Sequence, residues 1–299
     1  MSGRMVFVGL MICLGQTASA QDSWHWTINH DFLNPSGINA MGNNAPFFSD
    51  IDGDGDRDLI IGQYGRIELF YNEGFPQNPY WRRDTTCFGG LHFAQAAIPC
   101  LGDFDQDGTV ELVVSQNEWG HPSDSLRVYH NIGTPQQPVW AETTGYFNFT
   151  TAGYSFQRFF DWDGDGDFDL ILGRPWDQPT PQYWFMRNQG YPGNPDWQVD
   201  SVLSAAFPSE VCSNEGFAIA DFNLDGLNDI IYSFTVCDDG SGVCLSLNQG
   251  TNTNPVYDGY TQYVTRPLRN RQSSGCGRYG RRQRSRSNHG RVVSAFILL

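Results

Sequence analysis

Four short apolar runs recur along the chain, each directly after a segment in which aspartate alternates with other residues. The runs occupy residues 59–61, 112–114, 170–172 and 230–232. They are rich in β-branched side chains and bounded by glycine and aspartate, which predicts buried strands rather than helices. Because no helical period appears between residues 21 and 258, the sequence predicts an all-β fold.

The aspartate segments align without gaps and define a repeat. They span residues 50–58, 103–111, 161–169 and 221–229, with starts 53, 58 and 60 residues apart. Downstream of each segment stands an asparagine, followed two residues later by glycine, seven by proline and nine by an aromatic residue. These asparagines are Asn72, Asn131, Asn188 and Asn248, and the aromatic residues are Trp81, Trp140, Trp197 and Tyr257. Asparagine and glycine predict a turn, and proline predicts a strand start or an edge.

Each repeat therefore consists of several short strands joined by turns. A sheet of about four strands repeated at this spacing predicts a blade of a β-propeller, in which sheets stack radially and leave only short edges. The three periodic tryptophans are expected to pack between blades.

The aspartate segments have the donor pattern of a calcium loop. Oxygen-bearing side chains stand at positions 1, 3, 5 and 9, glycine at position 6, and a backbone carbonyl is available at position 7, which matches the six to eight oxygens that Ca²⁺ prefers. The predicted side-chain ligands are Asp50, Asp52, Asp54, Asp58, Asp103, Asp105, Asp107, Glu111, Asp161, Asp163, Asp165, Asp169, Asp221, Asn223, Asp225 and Asp229. The predicted carbonyl ligands belong to Asp56, Thr109, Asp167 and Leu227, and the turn glycines are Gly55, Gly108, Gly166 and Gly226. The sequence therefore predicts about four calcium sites.

Two other interpretations of these loops are weaker. An EF-hand closes its cage with glutamate at position 12, but that position holds Ile61, Val114, Leu172 and Tyr232 here. Solvated acidic turns could explain one loop but not four in register. The loops contain 17 of the 33 acidic residues, so a cation would relieve their repulsion and stabilise the fold. The fourth loop has Asn223 and the fewest charges and is predicted to lose its ion first.

The aspartate loop followed by an apolar triplet resembles FG-GAP and VCBS repeats, found in integrin α-chain propellers and in secreted bacterial proteins. The resemblance covers about residues 24–258. It implies a calcium-binding propeller used in adhesion, ligand binding or scaffolding, and the family also occurs beside catalytic domains and in polysaccharide lyases. Members usually close with about seven blades, whereas four loops are visible here, so the repeats are expected to form an incomplete propeller.

The N-terminus predicts export. A basic start, an apolar run over residues 5–14 and Ala18-Ser19-Ala20 form a signal peptide over residues 1–20, ahead of propeller repeats over residues 21–258. All 33 acidic residues lie before residue 259, which disfavours nucleic acid and anionic membranes as partners. We expect a secreted or cell-surface protein with no membrane insertion.

The segment 259–299 differs in composition. It contains nine of the 18 arginines and no acidic residue, which predicts a disordered basic tail. A frameshift near residues 258–277 is the second interpretation, because permitted codons for residues 278–287, read one base later, encode a fifth aspartate loop. That loop would begin 57 residues after Asp221, within the observed spacing.

Five cysteines lie in the propeller segment, where export permits disulfides. Cys87 with Cys100 and Cys237 with Cys244 are the simplest pairs, and Cys212 is left over. The spacing does not determine the connectivity.

No catalytic motif stands out. The chain lacks a nucleophile elbow, a zinc-protease helix and a phosphate loop. The predicted function is non-catalytic binding of an extracellular protein or glycan, and the alternative is the carbohydrate-binding or scaffold portion of a polysaccharide-active, lyase-like enzyme. Trp24, Trp26, Trp119, Trp162 and Trp176 could stack on sugars, with Trp119 and Trp176 the better candidates for a contact surface.

Overall fold

A computed structural model describes residues 8–11, 45–63, 65–75, 78–93, 96–117, 126–149, 156–173, 183–207, 213–236, 240–257, 262–265 and 295–298. Within these ranges the chain forms four antiparallel four-stranded sheets, and the strands in each sheet follow sequence order. The sheets are the blades of a β-propeller, so the predicted all-β propeller fold is confirmed.

The blades are built from sixteen strands of the described chain. Blade 1 contains β2 (Ala45–Ser49), β3 (Asp58–Gln63), β4 (Arg66–Asn72) and β5 (Trp81–Asp84). Blade 2 contains β6 (Ala96–Gly102), β7 (Glu111–Asn117), β8 (Leu126–Asn131) and β9 (Trp140–Thr143). Blade 3 contains β10 (Phe156–Phe160), β11 (Asp169–Gly173), β12 (Tyr183–Asn188) and β13 (Trp197–Val199). Blade 4 contains β14 (Ser213–Ala220), β15 (Asp229–Val236), β16 (Gly240–Ser246) and β17 (Gln262–Thr265).

Two further strands and a short helix complete the described elements. Strand β1 (Val8–Met11) pairs in parallel with β18 (Ala295–Leu298), and α1 (Ser201–Ala206) follows blade 3. The rest of the predicted signal peptide and most of the segment 259–299 lie outside the described residues. Strand β17 lies past residue 258, where the repeats were expected to end. Within the described part of the chain, no helix is long and apolar enough to cross a membrane.

The apolar triplets form the second strand of every blade and are buried on both faces, which explains why their residues do not alternate with polar ones. In blade 2, Leu112 and Val114 pack against Ile60 and Leu69 of blade 1. Val113, between them, packs against Leu170 of blade 3.

The first strands of the four blades meet at the propeller centre. Ala45, Ile98, Phe156 and Phe217 belong to β2, β6, β10 and β14 respectively, and all four lie in one buried cluster. Each aspartate loop joins the first strand of a blade to its second, so this core fixes one end of every loop.

The structure separates the tryptophans by role. The Trp140 indole donates to the Cys87 carbonyl of the preceding blade at 2.9 Å, and Trp197 donates to the Tyr146 carbonyl at 3.1 Å. These two residues pack between blades as predicted, whereas Trp81 is buried against residues of its own blade. Trp162 is 2% exposed, so it cannot stack on a sugar at the surface. The other four tryptophans in that prediction lie outside the described residues.

Both of the simplest disulfide pairs are wrong, because each contains at least one cysteine that is a free thiol. Cys87 and Cys100 are free thiols, as is Cys244. Cys100 faces blade 3 from β6, whereas Cys87 packs in the cluster between blades 1 and 2, so the two sulfurs belong to different clusters. Burial raises the pKa of Cys87 to about 12 and that of Cys100 to about 11, which makes both thiols poor nucleophiles. Cys212 and Cys237 lie outside the described residues.

Candidate metal centres

The four aspartate loops share one backbone path with two left-handed residues. At position 6, the glycines have φ of 99°, 90°, 98° and 88° along the chain, so the predicted turn at this position is confirmed. Position 4 is left-handed as well, a feature that the sequence analysis missed. Glycine occupies it in loops 1 and 3, but Gln106 and Leu224 occupy it with φ of 60° and 61°, a conformation that is strained for residues other than glycine.

The first carboxylate of each loop holds the turn together. Asp50 Oδ1 accepts from the Gly53 amide at 2.8 Å, and its Oδ2 accepts from the Gly55 amide at 3.0 Å. The same bond to the amide at position 6 forms in the other loops, at 3.1 Å for Asp103, 3.2 Å for Asp161 and 2.8 Å for Asp221. Asparagine and aspartate at alternate positions therefore shape the loop before any ion is considered.

The carboxylate at position 9 begins the second strand of each blade and is fully buried. Asp58 is 0% exposed; its Oδ2 accepts from the Ile51 amide at 3.0 Å and its Oδ1 from the Asn72 amide at 2.9 Å. Asp169 and Asp229 repeat both bonds. Burial raises the pKa of Asp58 and of Asp169 to about 7. Position 9 thus links the loop to the hairpin between the third and fourth strands.

The repeat asparagines close that hairpin. Asn72 Oδ1 accepts from the Gly74 and Tyr80 amides, both at 3.1 Å, and the other three asparagines do the same. A Cβ on Gly133 would lie 2.3 Å from the Gln137 carbonyl oxygen, so only glycine fits. The turn predicted from Asn and Gly is confirmed, and it lies at the same end of each blade as the aspartate loop.

The structure brings many of the predicted ligands within reach of one ion. Carboxylate oxygens lie within 4.8 Å of one another in three sets: Asp50, Asp52 and Asp58; Asp103, Asp105 and Asp107; Asp161, Asp163 and Asp165. In loop 4 the Asn223 side-chain amide donates to Asp225 Oδ2 at 2.8 Å. Among described residues, a fourth set joins Asp105 and Glu111 to His130.

Several loop oxygens are buried without a hydrogen-bond donor. They are Asp56 Oδ1, Asp103 Oδ1, Glu111 Oε1 and Asp167 Oδ1. A buried carboxylate oxygen without a donor is costly unless a cation neutralises it. Hard oxygen donors in this number fit Ca²⁺, and these residues together with the clustered aspartates would hold it.

Two side chains that approach the loop carboxylates were missed because they lie outside the loops. Arg187 Nη1 lies 2.6 Å from Asp163 Oδ2 and 3.7 Å from Asp169 Oδ2. His130 Nδ1 lies 3.3 Å from Asp105 Oδ2 and 3.6 Å from Glu111 Oε1. Both residues directly precede the repeat asparagine of their blade, where blades 1 and 4 have Tyr71 and Leu247. Aligning that position across repeats was the signal that could have found them.

The fold and the loops define a β-propeller whose blades carry acidic turns. A family model described as FG-GAP-like repeat matches residues 50–114 and 103–172. These two stretches carry FG-GAP-like repeats, and the four-bladed propeller is consistent with that family. A search of curated proteins gave no match. Among solved structures, a thermostable family-43 glycoside hydrolase is similar at 12% identity over 78% of this chain and 77% of that chain, with a TM-score of 0.47. A similarity at this level says nothing about the activity of this chain.

Proposed function

We propose that the chain is a secreted, calcium-stabilised propeller that binds an extracellular protein or glycan without catalysing a reaction. Calcium would neutralise the buried loop oxygens and thereby fix the hairpins that project beside the loops. The binding part rests on one observation, which is a set of exposed apolar side chains on those hairpins.

This set, the hairpin rim, recurs in every blade. It consists of Phe75, Tyr80, Ile132, Val139, Tyr191 and Val256, which are 52% to 71% exposed. Single exposed apolar residues are ordinary, but contiguous apolar patches on a soluble protein indicate a contact surface. Counted from the repeat asparagine, Tyr80, Val139 and Val256 stand at the eighth following position, Phe75 and Tyr191 at the third, and Ile132 at the first.

Neighbouring loops and hairpins are linked, so the rim is held in a defined arrangement. The Gln136 side chain of the blade 2 hairpin donates to the Asp52 carbonyl in the loop of blade 1 at 2.8 Å. In blade 4, Asn252 Oδ1 accepts from the Asn228 amide at 2.7 Å. Removing calcium should therefore weaken ligand binding through disorder of the rim, as well as stability.

Glycan-array and extracellular-matrix binding of the calcium-loaded chain, together with a cleavage assay on uronate-containing polysaccharides, tests the proposal. We expect binding without cleavage. The double variant F75S/I132S should lose most of that binding. The control V199S/V202S alters two exposed valines at the far end of blade 3, on β13 and α1, and should bind normally. Polysaccharide cleavage, or equal binding by both variants, would contradict the proposal.

A further inference from the structure

Loop 2 departs from the other three loops at position 9. In the others, both oxygens of the position 9 aspartate accept from backbone amides. Glu111 is longer by one methylene, and only its Oε2 has a donor, the Phe104 amide at 2.8 Å. Its Oε1 has none, although the residue is 0% exposed. This oxygen lies 3.6 Å from the imidazole of His130.

The surroundings of His130 complete a compact donor set. Its Nδ1 lies 3.3 Å from Asp105 Oδ2, and the three donor atoms lie within 4.8 Å of one another. Tyr146 packs edge-on against the imidazole, with ring centroids 6.4 Å apart. A buried aromatic residue therefore packs against the imidazole and restricts its position.

The separations fit a transition-metal ion. Ligands bound to Zn²⁺ at ~2.0–2.2 Å in a tetrahedron stand about 3.3–3.6 Å apart. Calcium takes oxygen donors, whereas an imidazole nitrogen beside carboxylates suits zinc and its neighbours. Arg187 occupies the corresponding place in blade 3, but a guanidinium has no lone pair to give to a metal, and an imidazole has.

We propose that loop 2 binds a zinc-type transition-metal ion through Asp105, Glu111 and His130, while the remaining loops are sites for calcium. Water completes the coordination. The inference shares with the proposed function only the statement that loop 2 takes a cation. Calcium binding in loops 1, 3 and 4 does not depend on it.

Zinc is titrated into the metal-stripped full chain in the presence of excess calcium, and calorimetry measures its binding. We expect about one zinc per chain that calcium does not displace. H130Q should weaken zinc binding by more than the ~10–100-fold typical for loss of an outer-shell partner. H92Q changes an exposed histidine and should bind zinc as the wild type does. Equal zinc affinity in H130Q and the wild type would overturn the site.

Shortening the position 9 side chain provides a variant that keeps the charge. E111D restores the aspartate of the other loops, whose oxygens reach only the backbone, so zinc affinity should fall at least tenfold while calcium still raises the melting temperature. Unchanged zinc affinity in E111D counts against the inference.

Cobalt substitution and X-ray absorption on the wild type give a measurement independent of the variants. A nitrogen ligand should be present in the metal's coordination sphere. An all-oxygen sphere, or no zinc retained in calcium, overturns the inference even if H130Q fails to fold. If calcium stabilises the chain but zinc does not bind, the proposed function stands without it. If zinc binds and calcium has no effect, the zinc site stands and the proposed calcium-stabilised function fails.

Discussion

Loops 1 and 3 share seven of their nine residues and differ only at positions 2 and 8. Their backbones agree closely, with φ of 77° and 76° at position 4 and 99° and 98° at position 6. Their electrostatics differ, because Arg187 forms ion pairs with Asp163 and Asp169 in loop 3. Loop 1 has the uncharged Tyr71 at the corresponding position.

The difference shows that the loop motif fixes shape but not charge balance. Arg187 supplies part of the positive charge that calcium would bring, so an ion entering loop 3 competes with an existing partner. We therefore expect loop 3 to bind calcium more weakly than loop 1. The prediction that loop 4 loses its ion first stays a prediction. We now expect loop 3 to lose its calcium early as well.

The largest expected effect is a pH dependence in the absence of calcium. Burial raises the pKa of Asp58 and Asp169 from 3.8 to about 7, so the folded state holds these protons more tightly than the unfolded chain. Their contribution is complete below pH ~4 and is lost as pH rises through ~7, by up to about 4 kcal/mol for each carboxyl. Urea denaturation in chelator across this range checks it.

Calcium should abolish this trend, since it favours the ionised carboxylates. D58N should flatten the calcium-free profile. A calcium-free stability that instead rises steadily between pH 4 and pH 7 would contradict the assignment of these two carboxyls.

Replacing Arg187 with leucine should give loop 3 an uncharged residue at the position where loop 1 has Tyr71. In chelator, R187L leaves the buried Asp169 without its cation, and we expect a loss of about 2 kcal/mol, below the range for a fully buried pair because Asp163 is partly exposed. In calcium the loss should shrink, because the ion takes the place of the guanidinium.

The surface variant R127L is the matched control, since it removes the same charge from an exposed pair with Glu142. It should change stability by under ~1 kcal/mol, with or without calcium. If R187L and the wild type show the same calcium-induced rise in melting temperature, Arg187 does not compete with calcium.

The smallest effect concerns the shared backbone. G55A and G166A place a side chain at φ near +98°, where a Cβ meets no neighbouring atom, so the cost is strain alone, about 1–2 kcal/mol in each loop. G90A also meets no atom and lacks the positive φ, so it should be nearly neutral. Denaturant midpoints provide the test, and unequal losses in G55A and G166A would show that the two loops differ in shape.

Much of the fold could be predicted because one pattern repeats in register. The apolar triplets locate the second strands, and Asn with glycine locates the hairpins, since both are local signals. His130 and Arg187 lack such a local signal, because they reach the loops from the third strand through sheet register, and only the alignment of their position across the repeats indicates them. The left-handed conformation at position 4 was not predicted, because two of the four loops have Gln106 and Leu224 there instead of glycine. The free state of Cys87 and Cys100 depends on which blade interface each side chain faces.

If the aspartate loops are calcium sites on which the propeller depends, the melting temperature of the full chain must differ between chelator and calcium. Each occupied site should add roughly 3 kcal/mol when calcium is about a hundredfold above its dissociation constant. Two occupied sites should then raise the melting temperature by about 10 °C or more. A melting temperature that is the same in chelator and in calcium would contradict the account.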